Sequence, residues 1–135
     1  MPSLFAKIIA GEVPAQFVFQ ERLWVAFMDI KPTNPGHVLL VPRAESPFIS
    51  GLPEETLAAL GAYAARLVAA VRQVAAADVN VVLNDGPAAG QVVPHAHFHV
   101  IPRSGGAHAP FAGHYAYRDG ELERWAVRLR AAWDG

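Results

Sequence analysis

The sequence predicts an α+β fold: a five-stranded, mainly antiparallel sheet with one long helix and shorter helices near both ends. Three observations carry this. Short apolar runs rich in β-branched and aromatic residues cluster before and after a single long amphipathic stretch, without the regular βαβ alternation of a parallel sheet. Turn-rich segments join neighbouring runs, which suits antiparallel pairs. Leu57, Leu60, Ala64, Leu67, Val68, Val71 and Val74 recur at three- and four-residue steps, the stripe of a core-facing helix.

In chain order, Ser3 can cap a short helix over residues 4–10, with Gly11 as its stop. Residues 17–20 and 24–30 read as two strands joined by a turn at Glu21-Arg22. Residues 31–36 are dense in turn formers, and 37–42 form an apolar run typical of a buried strand. Pro53 suits a first helical position, and Glu54 and Glu55 complement the dipole of the long helix, which Asp78 ends. Residues 80–84 are a fourth strand, 85–90 a glycine-rich loop, and 94–102 a fifth strand. A tail follows from residue 104, irregular to Tyr117, with a final amphipathic helix over 121–133.

Composition narrows the function classes. At 135 residues, 53% apolar and 17% charged, the chain suits one globular domain over 1–135. A net charge of −1 without a basic block argues against a nucleic-acid polymer or an anionic membrane surface as partner, although a small nucleotide needs no such patch. No cysteine is present, which excludes disulfides and thiolate metal sites. The most apolar stretch, 57–77, is broken by Arg66, Arg72 and Gln73, so no membrane span is expected. Lys7 is followed by only three apolar residues before Gly11-Glu12, which is no signal peptide, and the expected location is the cytoplasm.

The chemistry concentrates in Pro94-His95-Ala96-His97-Phe98-His99-Val100-Ile101-Pro102. On a strand, His95, His97 and His99 share one face, and Ala96, Phe98 and Val100 share the other. Three imidazoles in a row make poor core, because each brings a donor and an acceptor to satisfy. Spacing leaves three readings open: hydrogen-bonded structural residues, a metal site completed by His37 or a carboxylate, or nucleophilic catalysis on phosphorus. The last needs a neutral ring with one free nitrogen, and donors for phosphate oxygens. Neighbouring histidines and backbone N–H groups between Gly86 and Val92 can supply those donors.

Residues 84–103, Asn-Asp-Gly-Pro-Ala-Ala-Gly-Gln-Val-Val-Pro-His-Ala-His-Phe-His-Val-Ile-Pro-Arg, resemble the signature of the histidine-triad (HIT) family, His-φ-His-φ-His-φ-φ with φ apolar. Residues 5–14, 26–32 and 35–43 resemble the family's upstream blocks, so the likeness runs in order from about residue 4 to 103. The resemblance implies a HIT-like fold and a nucleotide hydrolase or transferase that requires no metal or other cofactor. It makes His97 the nucleophile on the α-phosphorus, His99 a donor to phosphate or leaving group, and His95 a support whose backbone carbonyl fixes the His97 tautomer. His37 matches a fourth histidine that buttresses the row. Asp29 matches an acid that holds ribose hydroxyls, and Asn84 a polar position near ribose or phosphate. Gln91 either touches phosphate or braces the loop. Val92 replaces a frequent hydroxyl residue, so only its N–H can serve. Apolar residues such as Ile8, Phe27 and Ile30 are candidates for a base pocket, with a purine nucleotide as expected substrate. The family's Hint-like and Fhit-like branches further imply a homodimer through the long helix and adjoining strand. His108 and His114, in the tail, read as surface residues.

One departure bears on metal. Many bacterial relatives begin with Cys-x-x-Cys and hold a structural zinc with a later histidine; here those positions are Ser3, Ala6 and Glu45. The expected activity is cleavage of a nucleoside phosphoramidate, acyl nucleotide or dinucleoside polyphosphate through a nucleotidyl-histidine. The alternatives are a nucleotide- or partner-binding module with little turnover, and a metalloenzyme built on the histidine row.

Overall fold

The computed structural model describes residues 2–105 and 114–135. The elements follow in the order α1 (Leu4–Ile9), β1 (Phe17–Gln20), β2 (Trp24–Met28), β3 (Val38–Pro42), α2 (Glu54–Val74), β4 (Asp78–Leu83), β5 (Phe98–Arg103) and α3 (Glu121–Asp134). The five strands form one sheet in the order β1-β2-β3-β5-β4, every pair antiparallel. The α+β architecture expected from sequence is the one observed.

Strand alternation divides the apolar residues between two faces. Trp24, Ala26 and Met28 of β2, with Val38 and Leu40 of β3 and Val100 of β5, pack with Leu67 and Val71 of α2 and with Leu129 and Trp133 of α3. Trp24 also donates its indole N–H to the Thr56 carbonyl at 3.0 Å, so its one polar atom is satisfied inside the core. On the opposite face Val25, Phe27, Leu39 and Val41 pack against the short helix α1 through Phe5 and Ile8, with Val13, Ala15 and Val93 at the margin. That lighter cover leaves room for a cleft.

Helix α1 begins where Ser3 Oγ accepts the Ala6 N–H at 2.9 Å, and it ends before Gly11, whose φ of +82° a side chain would strain. The tail returns to this framework. Arg66 lies 3.9 Å over the Trp133 ring and donates to the Trp133 carbonyl at 2.8 Å, fixing the end of α3 on α2.

Several boundaries differ from the sequence reading, most of them for a hydrogen-bonding reason. β2 stops at Met28 because Asp29 Oδ1 captures the Lys31 N–H at 2.8 Å and turns the chain. β3 starts at Val38, since the His37 N–H is spent on the Asn34 carbonyl at 3.2 Å. The fifth strand starts at Phe98, not Pro94: the His95 N–H bonds back to Val93 and the Ala96 N–H crosses to the Ser46 carbonyl at 2.7 Å. The long helix ends at Val74, and β4 already starts at Asp78 because Asp78 pairs with Arg103. Pairing along β5 overrides the local turn signal. Helix α2 is also more apolar than expected. An 18-residue window within its 21 residues reaches a mean hydropathy of 1.2, enough to cross a membrane by length and composition alone. Alanines between the leucines and valines raise the average while Leu67, Ala70 and Val71 pack inward.

Candidate active site

The cleft on the α1 side of the sheet has a volume of about 720 Å³. Leu4, Phe5, Ile8, Phe27 and Ile30 form an apolar wall, and Asp29, His37, His97, His99, Asn84 and Val92 bring polar groups to it. Of the residues singled out by sequence, two do not line it. His95 lies behind the row with no exposed surface, and Gln91 lies beneath the glycine-rich loop.

The rings of the row are alike, but their second nitrogens meet different groups. The His97 Nδ1 lies 2.7 Å from the His95 carbonyl oxygen. A carbonyl only accepts, so Nδ1 carries the proton and Nε2 keeps its lone pair. Burial holds the His97 pKa below the ordinary histidine value, partly offset by that carbonyl. Phe5 meets the ring edge-on at 4.8 Å between centroids, and His99 lies 5.0 Å away on the other side.

A second set of bonds orders His99. The Thr33 N–H donates to His37 Nδ1 at 3.0 Å, so neutral His37 carries its proton on Nε2. That Nε2 lies 3.0 Å from His99 Nδ1 and 3.5 Å from Asp29 Oδ2. Donation from His37 to His99 leaves the His99 proton on Nε2. Burial, reinforced by the neighbouring histidines, pushes His37 down to about 3. Burial and then His97 push His99 down to about 4. Both rings are therefore neutral near pH 7. Burial conversely raises the Asp29 pKa, against the pull of the Lys31 N–H.

His95 is held from both sides. Its Nε2 donates to the Pro42 carbonyl at 2.9 Å, so its Nδ1 accepts from Ser3 Oγ at 2.8 Å.

The loop between β4 and β5 departs from expectation. Its N–H groups do not stand open together: Ala89, Gly90 and Gln91 donate back to Gly86 or Pro87 carbonyls within the turn. The Gly86 N–H goes to Gln91 Oε1 at 2.7 Å, while Gln91 Nε2 donates to the Pro47 and Val93 carbonyls. Gln91 therefore braces the loop, and its polar atoms face no phosphate site. Gly86 and Gly90, at φ of +110° and +98°, permit this winding. Val92 stands at the rim, 90% exposed, and its N–H has no hydrogen-bond partner among the described residues.

The sequence reading missed His114. It is exposed, as expected, yet it lines the cleft near Asp29 and His37. The Tyr115 N–H bonds the Pro32 carbonyl at 2.8 Å and the Tyr117 hydroxyl accepts the Gly36 N–H at 2.9 Å, which lays the tail along the loop before β3. Two tyrosines facing a turn of non-adjacent sequence left no local signal. His108 lies outside the described residues.

Two clusters bear on metal. Asp29, His37 and His99 bring ligand atoms within 4.8 Å of one another. The neutral His37 tautomer does not suit an ion there, because Thr33 occupies Nδ1 and the proton sits on Nε2. The zinc positions of bacterial relatives also converge: Ser3 N–H donates to Glu45 Oε2 at 2.8 Å, and Ser3 Oγ reaches His95. This set does not fit zinc either. Ala6 offers a methyl group, and the Ser3 hydroxyl is committed to Ala6 and His95.

A four-histidine cleft with a lone pair at its centre, on a five-stranded sheet under a long helix, defines the class, and the comparisons place the chain within it. The HIT domain matches residues 10–106, and the chain belongs to the HIT family. It is 37% identical over 134 residues to an uncharacterized HIT-like protein of Mycobacterium tuberculosis, spanning 98% of this chain and 93% of that one. It is 36% identical over 100 residues to an adenosine 5'-monophosphoramidase of Saccharomyces cerevisiae, 74% of this chain and 61% of the yeast protein. A zinc-bound histidine triad family protein of Mycobacterium smegmatis superposes with a TM-score of 0.83 at 32% identity, covering 97% and 92% of the two chains.

Proposed function

We propose that the protein is a nucleotide hydrolase or transferase that cleaves at the α-phosphate of a purine nucleoside phosphoramidate, acyl nucleotide or dinucleoside polyphosphate. The observation that carries this reading is the pair of opposed tautomers, a lone pair on His97 Nε2 beside a proton on His99 Nε2. His97 Nε2 attacks the α-phosphorus, the bond from phosphorus to the leaving group breaks, and His99 Nε2–H donates a hydrogen bond to the departing atom, which takes its proton from solvent. Water then attacks the nucleotidyl-histidine and loses its proton to solvent, and the phosphorus–nitrogen bond breaks to release the nucleoside monophosphate and neutral His97. The His95 carbonyl steadies the positive charge on the His97 ring while the adduct lasts. Asp29 takes the ribose hydroxyls, Asn84 and the Val92 N–H serve ribose or phosphate, and the wall of Phe5, Ile8, Phe27 and Ile30 takes the base. The activity named for the yeast relative belongs to the same class of reaction.

The working unit is a homodimer. Helix α2 buries little of its apolar length within one chain, and Val81 on the edge strand β4 is 46% exposed, so a second copy is the fitting cover for that side.

Incubation with adenosine phosphoramidate and with a diadenosine polyphosphate, with and without chelator, tests the reaction beside His97→Ala. AMP release that ignores chelator and vanishes in the variant is the expected result, with an acid-labile nucleotidyl adduct trapped on His97. Tight AMP binding without turnover of either substrate would turn the reading toward a binding module. Loss of activity on chelation, restored by zinc, would end the covalent mechanism.

A further inference from the structure

We propose that Ser3 is a positioning residue for the histidine row: its hydroxyl sets the tautomer of His95 and holds the His95 carbonyl on the His97 Nδ1–H. Residues far apart in sequence are joined here by a single directed hydrogen bond. Ser3 and His95 are 92 positions apart and lie 2.8 Å apart through Oγ and Nδ1. The assignment of protons is forced. Pro42 offers only a carbonyl to His95 Nε2, so that nitrogen holds the proton and Nδ1 must accept. The Ser3 hydroxyl therefore donates to His95, while its oxygen accepts the Ala6 N–H that starts α1. One side chain both begins the helix and fixes the ring.

The segment after β3 closes the bracket. The Pro42 carbonyl takes the His95 ring, Glu45 Oε2 takes the Ser3 N–H, and the Ser46 carbonyl takes the Ala96 N–H at 2.7 Å. The peptide between His95 and Ala96 is thus tied through the ring on one side and through its own nitrogen on the other. Its carbonyl oxygen is the atom that meets His97 Nδ1 at 2.7 Å. A clamp of hydrogen bonds stands here where zinc-binding relatives place a metal, and its last link is the proposed nucleophile.

The Ser3 hydroxyl has two duties, and substitutions separate them. Ser3→Thr keeps both. Ser3→Asp still caps a helix, but an ionised carboxylate has no proton to donate to His95 Nδ1. Ser3→Ala keeps neither. The readout is the set of ring ¹⁵N shifts of His95 and His97 in the folded protein, recorded beside kcat, KM and melting temperature. Wild type and Ser3→Thr are expected to show neutral His95 protonated on Nε2. Ser3→Asp is expected to draw a second proton onto His95 Nδ1 while the helix cap survives. Both Ser3→Asp and Ser3→Ala should lower kcat by roughly tenfold or more with KM little changed, as a misplaced nucleophile does.

The kinetic arm rests on the reaction proposed above, whereas the ¹⁵N arm needs no substrate. Wild-type protein without turnover but with the expected shift pattern would leave the clamp standing and remove the reaction. A wild-type His95 protonated on Nδ1 would overturn the clamp. So would His95 and His97 shifts that stay unchanged in Ser3→Asp and Ser3→Ala. A kcat that merely follows melting temperature would likewise assign Ser3 to capping alone.

Discussion

The buried, neutral His37 should write itself into the pH dependence of stability. Its folded pKa lies near 3 against an ordinary 6.5. Between those values the unfolded chain binds a proton at His37 that the folded chain does not. Stability from this group is therefore complete above pH 6.5 and is lost as pH falls toward the folded value. One proton of difference gives a slope of about 1.4 kcal/mol per pH unit, so a descent of roughly two units costs about 3 kcal/mol. Replacing His37 by Asn isolates the effect. The amide keeps an acceptor near the position of Nδ1 for the Thr33 N–H, but it carries no titratable proton. The lost ring costs roughly 1–3 kcal/mol at every pH, which shifts the curve without changing its slope. Asp29, whose raised pKa acts with the opposite sign at the acid end, is present in both proteins and largely cancels. Urea unfolding followed by circular dichroism across acid to neutral pH gives the two curves. They should converge as pH falls, wild type losing stability faster. Parallel curves would refute the argument, because they would mean that His37 takes up a proton in the fold as readily as in the unfolded chain.

Two further outcomes are expected from the glycine-rich loop. Gln91→Leu leaves the Gly86 N–H without its acceptor and frees the Pro47 and Val93 carbonyls, so it should cost about 1–3 kcal/mol in urea unfolding and weaken turnover; unchanged stability would count against the bracing role. Val92→Ser at the exposed rim adds a hydroxyl donor with no packing loss, and should improve kcat/KM severalfold, on the order of 1 kcal/mol, at unaltered melting temperature; an unmoved kcat/KM would place the phosphate elsewhere.

The sheet and its helices were legible because their signals are local and repeated. Alternation put Val25 and Phe27 on one face and Trp24, Ala26 and Met28 on the other, and the Leu57–Val74 stripe marked the inner side of α2. The side-sharing of the histidines was legible too, even though hydrogen-bonded strand starts only at Phe98. Strand boundaries were not, because they depend on where single N–H groups go: Lys31 to the Asp29 side chain, Ala96 to Ser46. The same limit applied at the site. Resemblance to the HIT family grouped His37, Asp29, Asn84 and Val92 with the row, and the structure brings them to one cleft. It could not assign Gln91, whose role depends on three backbone partners, nor place His114, which arrives at the cleft by contacts made at Tyr115 and Tyr117.

Three histidines in alternation have no inherent division of labour, and the backbone creates one. The His95 carbonyl leaves His97 a lone pair at Nε2, whereas the Thr33 N–H, relayed through His37, makes His99 a hydrogen-bond donor at Nε2. Peptide groups do not titrate in the working range, so neither assignment changes with pH while the rings stay neutral. Neutrality follows from crowding as well as burial. Two charged rings 5.0 Å apart would repel by about 3 kcal/mol at an effective dielectric constant near 20, so the row admits one charge at a time. That restriction suits the proposed cycle. Charge appears on His97 only as a phosphoryl group with its own negative oxygens arrives, while His99, which hydrogen-bonds the leaving group and keeps its proton, stays neutral. The geometry thus couples attack and departure: the ring that gains charge and the ring that hydrogen-bonds the leaving group are neighbours, and the second stays neutral while the first is charged.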